Sequence, residues 1–125
     1  MKITAILILF FSAVCMAGCS SNDTTMSENP FYKKSTLPFE APDFNVIENR
    51  HFMPAFERGM EEQLREIDSI ATQESEPTFD NTIVEMELSG DLLTRVQRVF
   101  YNLTSAHTND EIQKIQSELA PKLAA

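Results

Sequence analysis

Apolar residues recur at helical spacing through most of the chain beyond residue 50, and the widest such pattern lies between Thr78 and Leu103. Phe79, Ile83, Met86, Leu93, Val96, Phe100 and Leu103 form one row, and Val84, Leu88, Leu92 and Val99 form a second beside it. This pattern predicts one helix over Asp80–Leu103, about 24 residues and roughly 36 Å long at 1.5 Å per residue. A double row needs neighbours on more than one side, which places this helix at the centre of a small helical layer. Asp91, Arg95, Arg98 and Asn102 make its polar edge, with Asp91 and Arg95 at i,i+4 spacing. Gly90 falls inside it and costs about 1 kcal/mol against Ala. A glycine there fits either a close approach by another backbone or a bend of the helix at Ser89-Gly90.

Two further helices flank this one. Pro54 suits a first turn, where its missing N–H is not needed, and Phe56, Met60, Leu64, Ile67 and Ala71 step along one face with Ile70 beside them. The opposite face carries Glu57, Arg58, Glu61, Glu62, Arg65, Glu66 and Asp68, including the i,i+4 pairs Arg58–Glu62 and Glu61–Arg65. The prediction is an amphipathic helix over Pro54–Thr72, with a loop over Gln73–Pro77 after it. Beyond a polar turn at Thr104–Asn109, Thr108-x-x-Glu111 reads as a capping box. Ile112, Ile115, Leu119 and Leu123 then give a third helix, Asp110–Leu119, with Pro121 kinking it or opening a new one. The pattern is still running at Ala125, with no capping glycine or polar tail, and reads as part of a longer chain.

Upstream the pattern changes. Asn29–Phe44 carries Pro30, Pro38 and Pro42 among Phe31, Tyr32, Leu37, Phe39 and Phe44. The prolines forbid a helix and bias their predecessors to extended backbone. So many aromatics predict an extended arm laid over the helical body rather than a free linker, and no clean PxxP pair marks a proline-rich recognition ligand. At the amino terminus, Lys2 and the apolar run Ile3–Val14 read as a targeting segment over 1–18, too short to span a bilayer comfortably. Met16-Ala17-Gly18-Cys19 resembles a bacterial lipobox, which makes Cys19 the expected lipidation site and new amino terminus. An ordinary secretory signal with Cys19 as an incidental thiol is the alternative. Ser20 after the Cys resembles lipoproteins sorted to the outer membrane, so the expected location is the bacterial cell envelope, lipid-anchored. Residues 19–28 form a polar tether, leaving 29–125 as the helical part. With Cys15 removed, Cys19 is the one remaining thiol and no intramolecular disulfide is possible.

These patterns predict an all-α fold: about three helices in a short layer, preceded by an extended arm. Composition narrows the function. The 19 Asp and Glu against 10 Lys and Arg work against nucleic-acid binding, which needs a basic footprint. His51 and His107 are the obvious acid–base or metal candidates, but neither belongs to an HExxH-like pair. A catalytic zinc site takes three protein ligands, and no third His or free Cys is present. His51 is expected to pack or cap near the start of its helix and His107 to sit in a turn. The acidic run Glu57–Glu66 alternates with Arg58 and Arg65 and reads as a solvated helix face, not a cation site. Asn102-Leu103-Thr104 matches a glycosylation acceptor but lies at a helix end in a chain with a bacterial leader. No GxSxG, P-loop or glycine-rich dinucleotide turn occurs. The residues therefore predict no catalytic and no metal-binding site in this stretch and leave any substrate-binding residues unassigned.

The ordered short motifs nevertheless resemble a known family. Asn29-Pro-Phe, Ser35-Thr-Leu-Pro and Ala41-Pro-x-Phe come first, then His51-Phe-x-Pro-Ala-Phe and Pro77-Thr-Phe-x-Asn-Thr-Ile. Arg98-Val-Phe-x-Asn-Leu, Asn109-Asp and Ala120-Pro-Lys-Leu-Ala complete the series. In this order they resemble the start of bacterial peptidyl-dipeptidases, or dipeptidyl carboxypeptidases, of the thimet oligopeptidase family, over 29–125. The resemblance implies an almost wholly helical zinc metallopeptidase that removes dipeptides from peptide carboxy termini. It implies zinc held by an HExxH helix and a later Glu in the carboxy-terminal half of a much longer chain, while the amino-terminal helices wall a deep substrate channel. None of those ligands has a counterpart here, so no catalytic residue carries over. Two readings remain: the amino-terminal helical part of a lipid-anchored zinc peptidase, not catalytic alone, or a stand-alone envelope lipoprotein that binds a partner.

Overall fold

The computed structural model describes residues 29–124. The targeting segment, Cys19 and the tether lie outside the described residues. Within them the chain is helical and contains no strand.

Helix α1, Phe52–Ala71, begins two residues ahead of the predicted start because the 3-10 turn Asn49–His51 runs directly into it. Pro54 stays within the first turn, where no helical carbonyl needs its N–H. The helix ends at Thr72, whose backbone N–H (2.9 Å) and hydroxyl (2.8 Å) both donate to the Asp68 carbonyl. Asn81 then ties down the loop beyond. Its side-chain amide donates to the Glu76 carbonyl at 3.0 Å, and its own backbone carbonyl accepts from Gln73 Nε2 at 3.2 Å. Thr78 caps the next helical stretch: its hydroxyl accepts from the Asn81 N–H, and Asn81 Oδ1 accepts from the Thr78 N–H.

The single helix expected over Asp80–Leu103 is two. A π-helical stretch, Phe79–Val84, passes into the short α2, Glu85–Leu88, and the helix then breaks. Ser89 is extended (ψ 152°) and Gly90 is left-handed (φ 73°, ψ 30°), after which α3 runs Asp91–Ala106. The bend at Ser89-Gly90, rather than a close backbone approach, is the role realised at this glycine. Glycine takes the left-handed conformation without a Cβ clash, and Glu66 Oε2 accepts the Gly90 N–H at 2.7 Å, satisfying a donor the break would otherwise strand. The close backbone approach lies elsewhere, at Gly59 of α1, where an added Cβ would stand 2.9 Å from Leu93 Cα. That contact lets α1 and α3 pack as the central pair.

Helix α4, Asp110–Leu123, extends past the expected Leu119 and continues through Pro121. Its cap is Asn109 rather than Thr108: Asn109 Oδ1 accepts from the Ile112 N–H at 2.9 Å. Ile112, Ile115 and Leu119 bury one face of α4. The core it closes contains Phe52, Ala55 and Phe56 from α1 with Leu92, Leu93, Val96, Val99 and Phe100 from α3. Phe100 sits between Phe52 and Phe56, with ring centroids 5.1 and 5.3 Å away in edge-to-face contacts. Each fully buried side chain of this size contributes about 1.5–3 kcal/mol of transfer free energy.

Candidate functional site

The sequence motifs that resemble a peptidase family occupy structural positions. Asn29 is buried, and its side chain both accepts from the Phe31 N–H (3.1 Å) and donates to the His51 carbonyl (2.8 Å). Phe31 enters the core beside Phe52, at 5.4 Å between centroids, and its carbonyl accepts two bonds from the Arg95 guanidinium, at 3.1 and 3.3 Å. Arg95 also holds Asp91 at the predicted i,i+4 spacing, 3.0 Å. The Arg58 guanidinium lies 4.3 Å from the Tyr32 ring centroid. Asn-Pro-Phe is thus a plug that joins the first described residues to α1 and α3. The carbonyl that Arg95 serves was not visible in the sequence, where Arg95 read as part of a polar edge and as the i,i+4 partner of Asp91.

His51 stands at the amino end of α1 and accepts a hydrogen bond from the Glu48 N–H through Nδ1, at 3.0 Å. Burial, with the charge of Arg50 adding to it, pushes the imidazole below its ordinary pKa against an opposing pull from Glu48. The neutral ring is the form this geometry needs, since a protonated Nδ1 would face another donor. His107 lies in the turn after α3, its backbone N–H donating to the Leu103 carbonyl. The fold brings the two histidine-bearing turns together at one end of the molecule: Asn49 Nδ2 donates to Asn109 Oδ1 (3.3 Å) and to Glu111 Oε2 (2.8 Å). Even so, no group of three His, Cys, Asp or Glu is placed to hold a metal among the described residues. The zinc implied by the family resemblance does not fit this donor set.

The acidic run on α1 forms its predicted pairs, Arg58–Glu62 and Arg65–Glu61, on an exposed face. Open grooves flank the helices. One, of about 510 Å³, runs between the end of α1 and the Phe79–Leu88 stretch, with Ile70, Gln73 and Leu88 on its walls. A second, of about 490 Å³, separates Phe39 and Phe44 from Arg98 and Asn102 of α3. At the lip of this second groove Phe39 (φ 61°) and Glu40 (φ 55°) are consecutive left-handed residues, and the Phe39 side chain is fully exposed. In the first groove the Ser89 hydroxyl donates to the Met86 carbonyl at 2.8 Å.

The apolar rows divide at Gly90. Beyond it they are buried apart from the half-buried Leu103; before it Phe79 is 69% exposed, Ile83 51%, Met86 52% and Leu88 67%. On α1 the row likewise leaves the core, with Leu64 at 69% and Ile67 at 40%. No helix among the described residues is long and apolar enough to cross a membrane.

Comparison with known proteins gives these motifs a context. A dipeptidyl carboxypeptidase of Escherichia coli (strain K12) is 50% identical over 101 residues, 81% of this chain. A dipeptidyl carboxypeptidase of Salmonella typhimurium (strain LT2) is 43% identical over 100 residues, 80% of this chain. The chain is similar to dipeptidyl carboxypeptidases. The match covers 14% and 15% of these relatives, so the chain spans about one seventh of the length of the curated proteins it matches. No family model matches the chain.

Proposed function

We propose that residues 29–125 are the amino-terminal helical part of a larger, lipid-anchored zinc metallopeptidase that releases dipeptides from peptide carboxy termini. The 50% identity to a dipeptidyl carboxypeptidase over four-fifths of the chain carries this reading. In it the stretch is a scaffold. The Thr78 and Asn109 side chains cap helices, and the Asn29–His51 link and the Arg95–Phe31 clamp hold the helices in place. The zinc, its ligands and the general base belong to polypeptide outside this stretch, and the peptide substrate is bound by the assembled enzyme. Zinc held in that other polypeptide would supply Lewis-acid activation of water and of the peptide carbonyl.

The test is a chimera in which the matched stretch of the E. coli relative is replaced by the corresponding residues of this chain. Chelator-sensitive release of dipeptides is expected from the chimera and none from the 125-residue chain alone. A chimera that folds but releases nothing would remove the peptidase reading, and chelator-sensitive release by the chain alone would remove the scaffold assignment. Anchoring at the envelope, with the outer membrane as the proposed location, is a separate part of the proposal. It rests on the lipobox-like Met16–Cys19. Metabolic labelling with a palmitate analogue should mark the wild-type chain and not Cys19→Ala, and equal labelling of both would dispose of it.

A further inference from the structure

Phe79, Ile83 and Met86 are spaced to lie on one side of their helical stretch. Each is half exposed or more, although the same spacing beyond Gly90 is buried. The stretch itself is charged in one sense only, and the neighbouring cation of α1, Arg65, is paired with Glu61. From Glu66 to Thr94 the sequence contains eight Asp and Glu and no Lys or Arg, which accounts for nearly all of the chain's formal net charge of −9. Asp80, Glu85 and Glu87 interleave with the apolar positions and are themselves exposed. An apolar stripe edged by unneutralised carboxylates has two requirements of a partner: an apolar surface to cover the stripe and cations to meet the rim. A second copy of this chain fails the second requirement, because two such faces set like charges against each other. An anionic lipid surface fails it for the same reason.

We infer that the Phe79–Leu88 stretch is the docking seam by which this helical unit seats on the remainder of a larger peptidase, against an apolar surface rimmed by Lys and Arg. This rests on the peptidase reading above, and most of the relatives' length lies outside the match and is available to supply that surface. The break at Gly90 has a purpose in this arrangement. It turns one apolar row away from the core that the other half fills, so a single sequence pattern serves two partners.

The test uses the chimera with the E. coli relative, alongside the 125-residue chain alone. Ile83→Ser with Met86→Ser should speed thermolysin cleavage of the chimera by at least about tenfold, since burial of two such side chains is lost. Glu85→Lys with Glu87→Lys should also speed it, by a factor that shrinks as salt is raised. In the chain alone both pairs should leave urea unfolding unchanged, because these side chains already face solvent. Unchanged proteolysis of the chimera in both variants would overturn the docking seam while leaving the peptidase reading intact. So would a dimer of the chain alone that Ile83→Ser dissolves, which would give the face to a second copy. A wild-type chimera that folds without peptidase activity strikes instead at the reading on which the seam depends, and takes the seam with it.

Discussion

The stretches on either side of Gly90 carry the same kind of apolar periodicity and have opposite fates. Asp91–Ala106 buries Leu92, Leu93, Val96, Val99 and Phe100 against α1 and α4, whereas Phe79–Leu88 leaves Phe79, Ile83, Met86 and Leu88 largely in solvent. Periodicity says that a face asks to be covered. It does not say by what, or whether the cover lies within the same hundred residues. The difference comes from one pair of residues, Ser89-Gly90, and from Glu66, which accepts the N–H freed at the break.

The largest contrast between the two stretches should appear on truncation. Phe100→Ala is expected to destabilise the chain by about 3–5 kcal/mol, the usual cost of emptying a buried Phe site. Ile83→Ala should stay within about 0.5 kcal/mol, as surface changes do. Urea unfolding of the chain measures both, and equal losses would erase the distinction between the stretches.

The junctions come next. Gly59→Ala forces a methyl to 2.9 Å from Leu93 Cα and should cost about 1–3 kcal/mol by overpacking. Arg95→Ala strands the Phe31 carbonyl at the junction of the Pro30–Tyr32 turn and α3 and should cost about 1–3 kcal/mol. The same variant should expose the amide of Phe31 and its neighbours to faster hydrogen exchange. Retained protection there would mean that this turn is held by Phe31 packing alone. Gly90→Ala puts a Cβ on a residue at φ 73° and should cost about 1–2 kcal/mol. Here the loss should localise to protection around Gln63, Glu66 and Ser89, leaving the α3 core exchange unchanged.

The smallest effect is that of pH at the start of α1. The folded His51 is held below its ordinary pKa, so folding favours the neutral ring. Its contribution is complete above the unfolded value near 6.5 and is lost as pH falls through the lowered folded value. Stability measured between about pH 7 and 5 should therefore decline more steeply in wild type than in His51→Gln, whose side-chain oxygen can still accept the Glu48 N–H. Parallel slopes would remove His51 from the pH response.

The sequence by itself determined the all-α class, the approximate extents of α1 and α4, and the i,i+4 ion pairs, because each arises from interactions spanning four residues or fewer; for α3 it placed the carboxy-terminal end to within a few residues but not the start at Asp91. It also narrowed Gly90 to a bend or a close approach, since a glycine inside a helical pattern has few other roles. Asn29-Pro-Phe was legible as a motif but not as a plug: its clamp joins Phe31 to Arg95, 64 residues away, and no local rule ranks that partner above another. Gly59 carried no sequence mark separating it from an ordinary helical cost, because its reason is the Leu93 backbone across the interface. Tertiary structure alone decided that the apolar rows part at Gly90, that Asn49 reaches Asn109 and Glu111, and that Phe79, Ile83 and Met86 go uncovered. Burial is a property of which surfaces meet, and a chain's period fixes only the side on which they can.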